Sequence, residues 1–271
     1  AKPQPTCTMA TSPHTNVYVS AHPVLAHKIT LLRSKSTHSP VFRQLLKELS
    51  YQLGYEITRN LKTKTVPVET PVGKGEGKQL AERIALIPVM RAGLGMVEPM
   101  LELVPTSHVH HIGMYREEKS LCCILYYNRL PAEVDADIAI VLEPLIATGN
   151  TLDATLVILK QWGVKTIKVM SILATKDGVK KLQEAHPDVE LHVGAIDDEL
   201  TATGLIMPGV GDVGDRLWGT TKEKPHAAVT AVDETSNMTV TGGVLIDPPM
   251  TTGSGAGAGG EAATKKRRSA Q

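Results

Sequence analysis

Four short apolar runs recur along the chain, each bounded by polar turns: Arg83–Val89, Ala136–Leu142, Lys165–Leu173 and Val189–Ile196. Their hydrophobicity is continuous rather than alternating, the pattern of strands covered on both faces in a parallel sheet. Segments of helical character stand between and before them. Val41–Leu53 begins at Ser39-Pro40 and stops at Gly54, start and stop signals of a helix. Leu94–Leu103, Leu152–Trp162 and Gly178–Ala185 are the other predicted helices. Strands alternating with helices imply βαβ units. The predicted fold is therefore α/β, a mostly parallel central sheet flanked by helices. In such sheets ligands sit beyond the carboxyl ends of the strands.

This pattern occupies only part of the 271 residues. Residues 1–16 read as an irregular arm, rich in Pro, Thr and Ser and without the apolar stretch of a secretory signal. Residues 17–220 hold the periodic elements. Residues 221–271 form a C-terminal extension, expected to be flexible at least at its end: Met250–Ala263 is dominated by Thr, Gly, Ala and Ser. The basic run Lys265–Arg268 reads either as a solvated tail or as an address or docking tag. A net charge of +1 argues against direct nucleic-acid binding, which leaves a basic footprint. No apolar run is long enough to form a transmembrane segment. Three cysteines, Cys7, Cys122 and Cys123, give neither a zinc spacing nor a disulfide framework. A reducing intracellular setting follows, cytosol or an organelle matrix such as a plastid. His110 and His111 are adjacent and so point differently; a packing or surface role is expected of them.

Three segments carry candidate chemistry. Ile140–Thr151 is a buried strand that ends in Glu143, then a small-residue turn, then a helix. Such a turn exposes backbone N–H groups at the positive end of a helix, a phosphate site, with Thr148 and Thr151 as hydroxyl donors. Glu143 stands where a carboxylate accepts from ribose hydroxyls. The plain alternative is an ordinary strand–helix turn with a threonine cap. Pro88–Met96 is a second strand end, with Arg91 suited to phosphate oxygens and glycines that permit close backbone approach. Met207–Arg216 is too glycine-rich for a helix or strand interior and is free to turn around a small planar ligand; Asp212 is placed to hold Mg²⁺ through water. Asp215 and Arg216 read as a structural ion pair or cap.

Together with His22-Pro23, His27–Arg33, Gly54–Glu56, Glu69–Pro71, His111–Arg116, Tyr126–Pro131, Ala185–Asp188 and Pro208–Thr220, these segments resemble the uracil phosphoribosyltransferases, members of the type I phosphoribosyltransferase fold. The resemblance runs in order from about Val17 to Thr220. It implies transfer of phosphoribosyl from 5-phosphoribosyl-1-diphosphate to uracil, giving UMP and pyrophosphate, with Mg²⁺ carried on the diphosphate rather than held directly by the protein. Arg91 and Arg116 would hold the donor's phosphates, Arg116 from a flap between about Tyr115 and Pro131. Glu143, Ala147, Thr148, Gly149, Asn150 and Thr151 would hold the ribose and its 5-phosphate. Ile206, Gly211, Asp212 and Val213 would read uracil, and Asp212 would also place the metal-bound donor. With Arg116 it makes the catalytic pair. Self-association, as a homo-oligomer or within a larger assembly, is implied as well.

Several positions depart from the family's usual residues: Glu143 where aspartate is usual, Asn150 for glycine, Val213 for alanine and Leu205 for tyrosine. The extra methylene of Glu143 pushes its carboxylate outward; the Asn150 side chain intrudes near the phosphate, with the turn surviving because asparagine tolerates left-handed backbone; Val213 narrows the uracil slot. The flap carries Cys122-Cys123-Ile124-Leu125, apolar enough to suit a flap packed against something. Two classes of function follow: a pyrimidine-salvage transferase, or a catalytically weakened relative kept as a structural or regulatory subunit.

Overall fold

The computed structural model describes residues 10–11, 16–116 and 123–220; the side chain of Arg116 also lies outside the described part, as do Cys7, Cys122 and the whole extension 221–271. Ten strands among the described residues build the main sheet; beside the two-residue segments Ala10–Thr11, His108–Val109 and Leu145–Ile146, its seven principal strands are β1 (Val17–Val19), β2 (Ile84–Met90), β3 (Ile112–Arg116), β4 (Cys123–Asn128), β5 (Ile138–Leu142), β6 (Thr166–Thr175) and β7 (Glu190–Asp197). Their spatial order is β1-β7-β6-β5-β2-β3-β4. Among these seven every neighbouring pair is parallel except β3 and β4, which run antiparallel at one edge. The predicted parallel α/β sheet is present, with each expected strand displaced by no more than two residues at either end.

The sheet is buried from both sides. Over one face lie α1 (Pro23–Arg33), α2 (Ser39–Ile57), α3 (Val97–Leu103) and α6 (Val213–Trp218). Helix α2 does most of this: Phe42, Leu45, Leu46, Leu49, Leu53 and Ile57 recur at helical spacing and all are buried. On the other face, α4 (Asn150–Trp162) and α5 (Lys176–Ala185) contribute Leu152, Leu156, Leu159, Val179 and Leu182. All five residues of β5 are buried, which is why its sequence shows no alternation.

Some elements differ from the sequence expectation for local reasons. Helix α1 has no Ser, Asp or Asn at its start; His22 caps it instead, its ring nitrogen accepting from the Val24 N–H at 3.2 Å. Predicted helix Leu94–Leu103 divides into a 3₁₀ turn, Ala92–Met96, and the short α3, since two glycines lower helical preference there. Residues 1–16 are not irregular throughout: Ala10–Thr11 pairs antiparallel with β1. An exposed hairpin, Thr63–Thr70 with Gly73–Leu80, projects from the body. Among the described residues no helix is long and apolar enough to cross a membrane.

The topology fixes where a ligand crevice lies. From β2 the chain runs through α3 to β3 on one side, then returns from β4 to β5 on the other. The carboxyl ends of β2 and β5 therefore flank a switch point, the place where open α/β sheets leave a crevice. Arg91 directly follows β2 and Glu143 directly follows β5.

Candidate active site

Beyond β5 the chain turns through Pro144–Gly149 into α4. Gly149 caps that helix at φ 79° and ψ −9°, a left-handed conformation that costs glycine nothing. The sequence reading gave this tolerance to Asn150; instead Asn150 is the first helical residue. The N–H groups of the first turn have no carbonyl partner within the helix. They face a cavity of about 180 Å³ lined by Glu143 and residues 145–152, so Ala147, Thr148, Gly149, Asn150 and Thr151 come together as predicted. The Asn150 side chain is drawn aside to Lys181, whose ammonium donates to Oδ1 at 2.5 Å.

Helix α5 braces this turn from outside. Thr175 Oγ1 donates to the Ala147 carbonyl at 2.6 Å and accepts from the Gly178 N–H at 3.0 Å. Thr175 and Lys181 carry no motif of their own in the sequence; their role rests on β6 and α5 lying beside the turn.

Across the switch point, Arg91, Met90, Ala92, Met114, Tyr115, Tyr126, Asp212 and Gly214 line a second cavity of about 460 Å³. Asp212 caps α6, its Oδ1 accepting from the Asp215 N–H at 2.9 Å. Asp215 pairs with Arg91 at 3.0 Å rather than with its neighbour Arg216, which corrects the expected ion pair. Arg216 donates to the carbonyls of Leu32, Ser34, Thr37 and Val210 and lies 4.3 Å over the Phe42 ring. Arg33 forms a two-pronged pair with Asp197 at 2.6 and 2.7 Å, and the same carboxylate accepts from the Gly209 N–H. These two arginines pin the glycine-rich turn to the sheet and to α1.

Two predicted positions take a different setting. The Val213 side chain is buried in the apolar core with Ile206, Val210 and Leu217, so its methyls pack inward rather than narrowing a base slot. Ile206 is likewise buried, its side chain in the same core, and it pairs with Leu200 in a two-residue strand. Gly211 is exposed at φ 75°. Arg116 ends β3 beside the second cavity, its side chain outside the described residues. In the flap, Leu125 packs against the core and Cys123 Sγ lies 3.6 Å from Thr151 Oγ1, so the apolar flap residues rest against the α4 side of the site.

Glu143 has an unusual environment. Half-buried beside the turn, its carboxyl lines the cavity, and its one backbone contact is with the Leu145 N–H at 3.5 Å, at the limit of a hydrogen bond. Burial pushes its pKa up to about 8, the weak Leu145 contact opposing this and the nearby Asp212 charge adding to it. A carboxyl so placed calls for hydroxyl donors or a cation.

The close approach of the two loops rests on Gly93. A Cβ there would meet the Leu142 carbonyl oxygen at 2.2 Å. Gly93→Ala is expected to separate β2 from the end of β5 and to destabilise the fold by about 2 kcal/mol; a urea midpoint unchanged from the parent would refute this contact.

Comparison with known proteins agrees with this geometry. The family model described as uracil phosphoribosyltransferase matches residues 19–220. The uracil phosphoribosyltransferase of Roseiflexus castenholzii is 49% identical over 204 residues, 75% of this chain and 98% of the relative. That of Alkaliphilus metalliredigens is 45% identical over 205 residues, covering 75% and 98%. Among solved structures, the AQ2163 protein from Aquifex aeolicus superposes with a TM-score of 0.73 at 33% identity, covering 76% of this chain and all of that one. Matched from β1 to the end of α6 by this family model and by relatives aligned over nearly their whole length, the chain belongs to the uracil phosphoribosyltransferase family.

Proposed function

We propose that the protein transfers phosphoribosyl from 5-phosphoribosyl-1-diphosphate to uracil, releasing pyrophosphate and forming UMP. The observation that carries this reading is the meeting of the α4 amino end, Glu143, Arg91 and Asp212 at one switch point. The N–H groups of the Ala147–Thr151 turn, with Thr148 and Thr151 hydroxyls, receive the 5-phosphate. Lys181 adds positive charge behind the turn. Glu143 accepts from the ribose hydroxyls. Arg91 and Arg116 bind the diphosphate, and Asp215 keeps Arg91 aimed across the α6 amino end. Uracil lies against backbone of Ile206, Gly211, Asp212 and Val213, which suits a base edge of fixed donors and acceptors.

The site fits Mg²⁺ carried on the diphosphate: Glu143 and Asp212 are neighbouring carboxyl groups whose mutual repulsion a divalent cation would relieve, reached through the metal's own waters. When bound with the donor, Mg²⁺ neutralises charge on the departing diphosphate. The chain's own contribution is alignment and charge. Arginines meet the negative charge that develops on the leaving group, and the pocket holds the uracil N1 against ribose C1. Tyr115 and Tyr126 stand at the mouth of the second cavity, 6.0 Å apart between ring centroids, and restrict water once the flap covers the site. Three cysteines without a pairing framework are consistent with a reducing compartment, cytosol or organelle matrix, and self-association is expected.

The test is direct. With labelled uracil, the donor and Mg²⁺, the purified chain is expected to form UMP and pyrophosphate in equal amounts. Absence of turnover, with activity restored by Glu143→Asp and Asn150→Gly, would instead identify a relative that has lost its chemistry.

A further inference from the structure

At the opposite end of the sheet from the crevice, the strand segment His108–Val109 pairs in parallel with Ala85–Leu86 of β2, and the His110 N–H continues that ladder to the Leu86 carbonyl at 3.0 Å. Residues two apart on extended backbone share a face, so His108 and His110 project together, whereas His110 and His111 do not. Both imidazoles meet one carboxylate. His108 Nδ1 lies 2.7 Å from Asp135 Oδ2, and His110 Nε2 lies 3.0 Å from Asp135 Oδ1. The three donor atoms fall within 4.8 Å of one another.

We infer that His108, His110 and Asp135 form a binding site for one divalent transition-metal ion of the zinc class, separate from the crevice. Two imidazoles and a carboxylate suit zinc, which sits at about 2 Å from each ligand and keeps a fourth position for water or a further ligand. Such a shell holds its donor atoms roughly 3 to 4 Å apart, a small adjustment of the present triad, whose His–Asp separations are 2.7 and 3.0 Å and whose donor atoms all lie within 4.8 Å. The mixture of imidazole and carboxylate disfavours Mg²⁺, which takes oxygen ligands.

The scaffold under the triad is rigid. Trp162 packs its edge on His110 at 5.6 Å between centroids, and its indole N–H donates to the Pro131 carbonyl at 2.8 Å, in the connection that carries Asp135. Two residues on, Asp137 pairs with Arg83 by two contacts of 3.0 and 3.2 Å, tying the starts of β2 and β5. His108 is exposed, so an ion enters from solvent without opening the fold. An occupied site would link the strand from β2 to the connection leading out of the flap strand β4.

The full-length chain, freed of metal, would be titrated with Zn²⁺ by calorimetry, with Mg²⁺ in parallel. One Zn²⁺ per chain is expected, with affinity falling at least about tenfold in His108→Ala and in Asp135→Asn and unchanged in His111→Ala. Co²⁺ is expected to give the strong visible absorption of a four-coordinate site in the parent and to lose it in His108→Ala. His108 is a surface residue, and an unchanged melting temperature of its metal-free variant would exclude misfolding as the cause. UMP synthesis by that variant is expected to match the parent's. No Zn²⁺ binding by the parent, or equal binding by parent and variants, would overturn the proposal and leave the triad a hydrogen-bonded brace.

Discussion

Asp212→Asn is expected to lower kcat for UMP synthesis by about 10²–10³ while leaving the melting temperature close to the parent's. The two effects separate because one side chain does two jobs. One carboxylate oxygen caps α6 through the Asp215 N–H, and an asparagine oxygen serves a helix cap as well as aspartate does. The negative charge serves the crevice, where Asp212 shares a cavity wall with Arg91. Asparagine keeps the first and removes the second. Asp212→Ala removes both and is expected to cost a further ~1 kcal/mol of stability through the lost cap. Steady-state kinetics beside thermal melts of both variants make the check. Full activity in Asp212→Asn would mean that the charge is not used, and the role proposed for it would fall.

The sequence displayed the sheet and the phosphate turn because both depend on local pattern. Short continuous apolar runs bounded by turns, such as Ile138–Leu142, suit a strand covered on both faces, and the Glu143–Thr151 turn follows one of them directly. What the sequence hid depends on contacts distant in the chain. Asp215 faces Arg91, which is 124 residues away, not Arg216 beside it. Val213 turns inward because it is the first residue of α6, after the Asp212 cap, and its side chain lies in the core with Leu217 and Val210. Lys181 reaches Asn150 only because α5 packs beside α4. The His108–His110–Asp135 triad escaped the sequence reading altogether: that reading took His110 with its neighbour His111 and expected only packing or surface roles, whereas His110 shares Asp135, 25 residues on, with His108.

Glu143 makes stability depend on pH in a direction opposite to that of most carboxylates. Its pKa in the folded chain is about 8, against an ordinary 4.5. Between those values the folded state retains a proton that the unfolded chain has released, so the unfolded state binds fewer protons and stability falls as pH rises. The contribution is complete below about pH 4.5 and is lost as pH climbs through about 8. Each unit of separation corresponds to about 1.4 kcal/mol; allowing for water in the cavity beside the carboxyl, a loss on the order of 3 kcal/mol is expected across the window. Glu143→Gln keeps the shape and never ionises. Urea unfolding at about pH 5, 7 and 9 should therefore show the variant and parent nearly equal at the acid end and the variant increasingly more stable toward the alkaline end. Taking the difference between the two proteins cancels every other titrating group. Asp212→Asn added to the parent should recover only a small part of this loss, because burial rather than the Asp212 charge is the larger cause of the shift. A stability difference that stays constant with pH would mean that Glu143 ionises normally, and the carboxyl would then stand ready for ribose hydroxyls without first giving up a proton.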